Sequence, residues 1–446
     1  MPLASSLQAL QPQPHAPGFA VAVVRDGRIV ERFAAGDADV AMSRPVTPQT
    51  LFHIGSITKM FTATAVMQLV QAGKIDLRAP VTEYLPQYAA WRGVTIAELL
   101  MHRSGIPNYL DAALANGRTV LPTSPEAILG LMAAQPLDFV PGSRFEYSNT
   151  NYVALGLIVE RVTDESLATY ERRAIFRPAK MHATFVGTAP AGSPVALGYT
   201  SRGKATIAKP GDPSWYFACG DILSTVGDLA RFDRALMDGR LLAPTTFAEM
   251  VKAARPAPGF GNAKYGYGVT TVAFGDRTIV GHHGGLPGFE ADDEMIPQDR
   301  FAVIALGNAS NFATVGPNNI ALEHYYPKQF AAAVVAAHAA SGRAVADPNP
   351  ALTKRFELFV RGLIAGKQVD PNPATQVAAA LTPSAIAQID AQLFAGLGPL
   401  RRLTYRDSFI ADGYHEYDYL ALFANGFLRL RFVLDSHGAL SGFFKE

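Results

Sequence analysis

The sequence predicts a mixed α/β fold of the α+β kind, in which strands flank a helical middle and a small α+β module follows. Two observations carry this prediction. β-forming runs occur at 19–33 and again at 265–306, whereas much of the sequence between them has helical spacing. A Gly-, Asp- and Pro-containing segment at 341–350 is typical of a linker. We therefore expect one large domain over residues 1–340 and a second over 351–446.

The first strands are predicted to form a hairpin, because β runs at 19–24 and 29–33 enclose Asp26-Gly27, a strong signal for a tight turn. A helix is predicted over 58–73, where apolar residues recur at helical spacing and a glycine stands at the C-terminal end. The other predicted elements of this domain are helices at 95–101, 125–134 and 152–162, and strands at 265–274, 278–281 and 301–306.

The C-terminal module is predicted to contain two helices and three strands. His415 with Glu416 and Asp418 is its candidate for chemistry, but alternation along a strand places the histidine opposite both carboxylates, so we interpret the three as surface residues. The predicted elements are helices at 351–366 and 383–393 and strands at 402–409, 414–423 and 427–434, with turns at Asp412-Gly413, Asn425-Gly426 and His437-Gly438.

Composition excludes several classes of protein. The 39 Lys and Arg against 38 Asp and Glu leave a net charge of +1, which disfavours a nucleic-acid partner. The single cysteine, Cys219, excludes an internal disulfide and a thiolate metal cluster. No apolar stretch is long enough to span a bilayer, and the N-terminus lacks the pattern of a signal peptide. Nucleotide-binding and zincin motifs are absent, so we expect no cofactor and no metal.

A Ser-x-x-Lys motif, Ser56 to Lys59, opens the predicted helix over 58–73. Residues three apart share a helix face, so the amine can reach the hydroxyl and help to activate it as a nucleophile. The helix N-terminus suits a developing oxyanion and is expected to lower the pKa of the lysine. The alternative is a helix N-cap with a solvated lysine. A second match, Ser201 to Lys204, lies in a Gly-containing stretch that offers no helix.

Tyr147-Ser148-Asn149 is a second candidate element, predicted to lie in a loop before a helix. A phenol with a lowered pKa beside a lysine could take the serine proton, and the amide of Asn149 could hold a substrate carbonyl or the lysine. A packing tyrosine and a turn asparagine are the alternative.

The third candidate element is the segment Gly281-His282-His283-Gly284-Gly285-Leu286-Pro287-Gly288, at the end of a β run. Glycines here would let substrate backbone approach, and the amide of Gly285 could complete an oxyanion hole. Successive strand residues point to opposite faces, so the two histidines cannot chelate one ion. A simple turn is the alternative.

Taken in order and at this spacing, the three elements resemble those of the serine β-lactamase and penicillin-binding-protein superfamily. The similarity is to its class C-like branch of D-alanyl-D-alanine carboxypeptidases, D-aminopeptidases and β-lactamase-fold esterases. It extends through the segments at 99–107 and 220–229, which resemble the family's Leu-Leu-x-His-x-Ser-Gly-Leu-Pro and Gly-Gly-x-x-Ser-Thr-x-x-Asp-Leu, and covers roughly residues 15 to 340. The resemblance implies an antiparallel sheet flanked by helices, with an all-α insert at about 75–210. The tail looks like a small NTF2-like domain.

The resemblance also implies roles for the site residues. Ser56 would be the acylated nucleophile, Lys59 its partner, Tyr147 the general base, and Asn149 a ligand of the substrate carbonyl. The amides of Ser56 and Gly285 would form the oxyanion hole, beside Gly284. His282 stands where β-lactamases of this superfamily carry the lysine of Lys-Thr-Gly, so a fixed cation is replaced by a mostly neutral imidazole. Whether Lys59 or Tyr147 is the base stays open.

Two functions are consistent with these residues. The first is a serine hydrolase that forms an acyl-enzyme with small esters or D-amino-acid peptides and amides, with weaker activity on β-lactams. The second is a penicillin-binding or peptidoglycan-sensing protein with little turnover. The expected partner is a small-molecule ester, peptide or β-lactam, and the oligomeric state stays open. Family analogy implies a periplasmic or secreted location, with a cytoplasmic one as the alternative.

Overall fold

A computed structural model describes the chain in two compact units, Met1–Pro327 and Lys328–Glu446. The division falls earlier in the chain than the linker predicted at 341–350, of which 341–346 lie outside the described residues. The described residues are 3–8, 14–110, 118–200, 206–209, 211–258, 262–310, 314–331, 347–367, 372–389, 399–411, 414–423 and 427–445, with isolated positions between these ranges.

An eight-stranded antiparallel sheet forms the centre of the first unit, in the order β2-β1-β13-β12-β11-β10-β9-β8. Its strands are β1 (Phe19–Arg25), β2 (Arg28–Ala35), β8 (Arg255–Pro256), β9 (Lys264–Tyr265), β10 (Thr270–Phe274), β11 (Arg277–Leu286), β12 (Phe289–Ile296) and β13 (Phe301–Gly307). Two smaller sheets contain β3 (Asp37–Asp39) and β4 (Arg44–Pro45), and β5 (Phe52–His53), β6 (Phe185–Val186) and β7 (Ile222–Ser224).

Helices cover both faces of this sheet, as expected. Asp292 and Asp293 are successive residues of β12 and point to opposite faces. One interacts with Asn318 of a helix on its side, and the other with Asp233 of a helix on the opposite side. The helices of this unit are α1 (Leu3–Gln8), α2 (Thr58–Gln71), α3 (Val81–Tyr84), α4 (Ile96–Leu100), α5 (Pro125–Met132), α6 (Asn149–Thr163), α7 (Leu167–Glu171), α8 (Arg177–Ala179), α9 (Val226–Met237), α10 (Pro244–Lys252) and α11 (Val315–Tyr325).

The predicted hairpin is confirmed. Asp26 and Gly27 join β1 to β2, and both have positive φ, at 50° and 70°, as a tight two-residue hairpin turn requires. Residues 19–24 are buried because β1 is an inner strand and both faces of the sheet are covered.

Helix α2 is the central helix of the unit. Eleven of its 14 residues are buried, among them three threonines and Lys59, so neighbouring segments cover the helix on nearly all sides. The chain leaves the helix at Gly73, whose φ of 68° is the left-handed conformation expected just after a helix end.

The middle of the chain is mostly helical but is not all-α. Helices α3 to α8 lie within the predicted insert at 75–210, and so does β6, which pairs with β7. The sequence of β6 is only two residues long, so period-2 alternation cannot identify it.

One strand prediction was wrong, and one long strand was missed. The run at 265–274 is divided into β9 and β10 by a turn at Gly268, whose φ is 74° and whose missing side chain leaves room for Ala63 of α2. Strand β12 was not predicted, because four of its eight residues are acidic and such residues are depleted in strands.

Two of the unit's buried carboxyl groups, those of Asp233 and Asp293, lie side by side between α9 and β12. Neither makes a hydrogen bond of normal geometry within the described part of the chain. Burial is the largest cause that raises the pKa of both groups, and each carboxyl affects the other. The protonated form is therefore favoured in the folded protein.

This pair predicts how stability depends on pH. Because the folded pKa is above the unfolded value of about 4, the unfolded chain loses its protons first as pH rises, and stability falls from about pH 4 towards neutrality. Asp233→Asn should reduce this fall and stabilise the protein at pH 7 by about 1–3 kcal/mol. Urea unfolding between pH 4 and 8 measures it, with Asp164→Asn, an exposed site, as control. An unchanged pH slope in Asp233→Asn would contradict the prediction.

The second unit is an α+β module, as predicted, but its described residues form four antiparallel strands and three helices where three strands and two helices were expected. Its NTF2-like character stays a prediction. Phe356 and Phe359 are buried, and Phe356 stacks on Phe432 at 4.0 Å between ring centroids. The elements are α12 (Pro350–Ile364), α13 (Thr375–Ala380), α14 (Pro383–Ile389), β14 (Leu400–Ala411), β15 (Tyr414–Phe423), β16 (Phe427–Leu434) and β17 (Leu440–Lys445).

The predicted turns and surface residues of this unit have mixed outcomes. Asp412-Gly413 and Asn425-Gly426 lie outside the described residues. Gly438 has the positive φ of a turn, at 75°. Glu416 and Asp418 both form ion pairs with Arg431, at 3.2 and 2.8 Å, and their side chains are only 18% and 14% exposed. His415 is exposed, so the interpretation as surface residues is confirmed for the histidine and not for the two carboxylates.

Candidate active site

Ser56 lies in a tight turn immediately before α2. Residues Gly55–Ile57 form a single 3-10 turn, and Gly55 has a φ of 49°. A side chain on Gly55 would lie 2.9 Å from the backbone nitrogen and oxygen of Gly285, so only glycine lets this turn pack against β11. The turn therefore presents Ser56 beside the strand that carries the third candidate element.

Lys59 is fully buried and its Nζ reaches three oxygen atoms. These are the hydroxyl of Ser56 at 2.9 Å, the amide oxygen of Asn149 at 2.8 Å and the backbone oxygen of Cys219 at 2.8 Å. Burial lowers the pKa of Lys59 to about 8, and the neighbouring Cys219 opposes this only in part. The predicted direction of the shift is right, with burial as its main cause. The alternative of a solvated lysine is wrong.

Tyr147 lies against Lys59, with Nζ 4.9 Å from the centre of its ring. The phenol oxygen is buried and has no hydrogen-bond partner of normal geometry among the described residues. Burial raises the pKa of Tyr147 well above its ordinary value, and the adjacent hydroxyl of Ser56 offsets only part of this. The expectation of a lowered phenol pKa is therefore wrong, because burial disfavours the phenolate.

Asn149 is the first residue of α6 and not a loop residue. Its backbone and side-chain nitrogens both donate to the amide oxygen of Asn108, at 3.0 and 3.2 Å, and its own oxygen accepts from Lys59. Two hypotheses for the partner of this amide followed from the sequence, a substrate carbonyl or the lysine. The structure shows the contact with Lys59.

His282 is buried within β11, whereas His283 is about half exposed on the opposite face. The hydroxyl of Tyr265 lies 2.8 Å from Nε2 of His282, and burial and the charge of Lys59 lower the pKa of His282 to about 3. A neutral imidazole here agrees with the sequence-based expectation. His283 lies 3.0 Å from Glu290, so the two histidines do not face one ion.

Gly284 and Gly285 are part of β11 and not of a turn. A side chain on Gly284 would lie only 2.0 Å from the backbone oxygen of Ile54, so this glycine lets the strand contact the residues before Ser56. A side chain on Gly285 would meet nothing closer than Glu290, at 3.5 Å.

The structure brings all seven predicted residues into one region, and it adds residues that were not singled out. Asn108 holds Asn149, Tyr265 contacts His282, and His102 lies with its ring centre 4.2 Å from that of Tyr147. His102 could have been found, since it is the histidine of the Leu-Leu-x-His segment. Tyr265 carries no sequence signal beyond a single aromatic residue in a β run.

The described residues contain no group of three or more His, Cys, Asp and Glu side chains placed to hold a metal ion. Nor do they contain a helix with the length and apolar character that a membrane crossing needs.

Most of the first unit matches the model of a known protein family. The Beta-lactamase family model matches residues 3–325. The chain is 32% identical over 300 residues to the putative penicillin-binding protein PbpX of Bacillus subtilis, which covers 67% of this chain and 72% of that protein.

Solved structures show the same likeness. The D-amino acid amidase of Ochrobactrum anthropi SV3 aligns with 72% of this chain and 98% of its own, at 28% identity and a TM-score of 0.63. An octameric penicillin-binding protein homologue from Pyrococcus abyssi aligns with 100% of this chain and 99% of its own, at a TM-score of 0.64. Its identity of 22% makes this a likeness of fold.

Proposed function

The chain belongs to the β-lactamase family, and we propose that it is a serine hydrolase that forms an acyl-enzyme on Ser56 with small esters or with amides and peptides of D-amino acids. The observation that carries this proposal is the contact between the hydroxyl of Ser56 and the buried amine of Lys59, at 2.9 Å. A serine hydroxyl is a weak nucleophile at neutral pH and needs a base within hydrogen-bond reach.

We assign the role of base to Lys59. Burial lowers the pKa of this amine to about 8, so a useful fraction is neutral near neutral pH, whereas the pKa of Tyr147 is raised. Lys59 takes the proton of Ser56 as Oγ bonds to the substrate carbonyl carbon. The negative charge on the carbonyl oxygen is stabilised by the backbone N–H groups of Ser56 and Gly285.

The leaving group then needs a proton. In the proposed sequence, the neutral phenol of Tyr147 donates its proton to the departing oxygen or nitrogen and regains one from the protonated Lys59. The carbon–oxygen or carbon–nitrogen bond of the substrate breaks, and the acyl group stays on Ser56. A water molecule attacks the acyl carbon by the same route in reverse, giving the acid and restoring the Ser56 hydroxyl.

The substrate class is supported by charge and by similarity. The neutral, buried His282 supplies no fixed cation for the carboxylate of a β-lactam, which favours esters and amides. The amidase of Ochrobactrum anthropi supports amides of D-amino acids. The second candidate, a penicillin-binding protein with little turnover, is supported by the likeness to PbpX.

The test is intact-mass spectrometry after exposure to a fluorophosphonate, joined to turnover of D- and L-phenylalanine amide, a p-nitrophenyl ester and a penicillin. We expect one adduct, lost in Ser56→Ala and kept in Ser201→Ala, which alters the second Ser-x-x-Lys motif. D-amide or ester turnover should be lost with the adduct. Equal turnover in wild type and Ser56→Ala would overturn the proposal. A lasting penicillin adduct without turnover would favour the second candidate.

A further inference from the structure

His102 is a buried histidine to which the proposed mechanism gives no role. It follows α4 and has a φ of 53°, a conformation that is uncommon for any residue other than glycine. Backbone strain of this kind persists only where the surrounding structure holds it in place. The contacts of His102 show which neighbouring residues hold its backbone in this conformation.

His102 binds the residues on both sides of Tyr147. Its backbone oxygen accepts from the N–H of Glu146 at 2.9 Å, and its Nδ1 accepts from the N–H of Ser148 at 3.2 Å. The positive φ lets the carbonyl and the imidazole of one residue both reach the same segment. Its ring also packs against the ring of Tyr147, with centroids 4.2 Å apart.

The surroundings of the imidazole keep it neutral. Ser104 donates to the amide oxygen of Asn151 at 2.7 Å, so the amide nitrogen faces Nδ1 of His102, at 3.4 Å. Two donors therefore face Nδ1, which must be the acceptor nitrogen. Burial and the nearby Lys59 and His282 also hold the pKa of His102 well below its ordinary value.

We propose that His102 is a positioning residue for the acylation step. It hydrogen-bonds to the backbone on both sides of Tyr147 and packs against the ring of Tyr147, and these contacts fix the phenol beside Ser56. The proposal rests on the proposed function and deepens it. Tyr147 needs such support, because its hydroxyl makes no hydrogen bond of normal geometry with any described residue.

Two substitutions separate the hydrogen bonding of His102 from the space that its side chain fills. His102→Leu fills much of the cavity but leaves the N–H of Ser148 without its acceptor. His102→Asn keeps an acceptor at the position of Nδ1, and asparagine tolerates positive φ. If His102→Leu fails to fold, His102→Gln replaces it, because its amide is one bond longer and its oxygen no longer coincides with Nδ1.

The rate of fluorophosphonate labelling of Ser56 is measured for each variant, with ester kcat and KM per titrated active site. We expect His102→Leu to slow labelling and kcat by about 10- to 100-fold, with KM little changed, and His102→Asn to restore most of the loss. In a Tyr147→Phe background, the same His102→Leu change should have little further effect, since His102 acts through Tyr147.

Three results would overturn the proposal. They are wild-type rates in His102→Leu, an equal loss in His102→Asn, and an undiminished effect of His102→Leu in the Tyr147→Phe background. Failure of the proposed function is distinguishable, because the wild type itself would then show neither Ser56-dependent labelling nor Ser56-dependent turnover, which would overturn both.

Discussion

Replacing Lys59 with methionine is expected to lower kcat/KM by about 100- to 10,000-fold, the range that a general base contributes. Methionine has similar length and fills the same buried space but cannot accept the proton of Ser56. In the wild type, kcat/KM should rise with pH through about 8 as Lys59 loses its proton. That inflexion should be missing in the variant. The measurement is the pH–rate profile of ester hydrolysis.

A matched control is available near the other end of the same helix. Lys74 is exposed just beyond α2, so Lys74→Met makes the same chemical change away from the site and should leave the profile intact. Thermal unfolding of both variants shows whether they are folded. If Lys59→Met keeps wild-type activity and its inflexion near pH 8, Lys59 is not the proton acceptor.

Gly284→Ala is expected to cause the second large loss. The added methyl group would lie 2.0 Å from the backbone oxygen of Ile54, so β11 must move away from the turn that holds Ser56. Overpacking of this kind costs about 1–3 kcal/mol or more, and here the obstacle is backbone that cannot rotate aside. We expect lower stability in urea unfolding and a fall in kcat/KM of about 100-fold.

The neighbouring glycine provides the stability control. A methyl group on Gly285 would be 3.5 Å from the nearest carboxylate oxygen of Glu290, an ordinary contact, and we expect Gly285→Ala to change stability by less than about 1 kcal/mol. Equal stability of the two variants would contradict the packing argument. The comparison is free of chemical differences, because both changes add one methyl group to adjacent residues of the same strand.

Local chemistry was enough to predict some parts of this fold. The hairpin at Asp26-Gly27 and the end of α2 at Gly73 depend on residue types that readily adopt positive φ. The pairing of Ser56 with Lys59 was predictable because spacing on a helix is regular. Each of these features involves residues within a few positions of one another.

The parts that could not be predicted depend on distant residues. Strand β12 carries four acidic residues, and only its place between β11 and β13 makes it a strand. The raised pKa of Tyr147 follows from burial by segments far along the chain, which no local pattern reports. The hydrogen bonds of His102 with Glu146 and Ser148 likewise join residues more than forty positions apart.

The three oxygen atoms around Lys59 have a consequence for the timing of the reaction. Asn149 and Cys219 offer acceptors that can take two N–H groups, whereas the third neighbour is a hydroxyl, which can accept from an ammonium or donate to an amine. Both protonation states are therefore fully hydrogen-bonded without any change of rotamer. A proton transfer that requires no rearrangement of heavy atoms has little reorganisation energy. The hydrogen-bond partners that stabilise Lys59 before and after the transfer are already in place when the reaction begins.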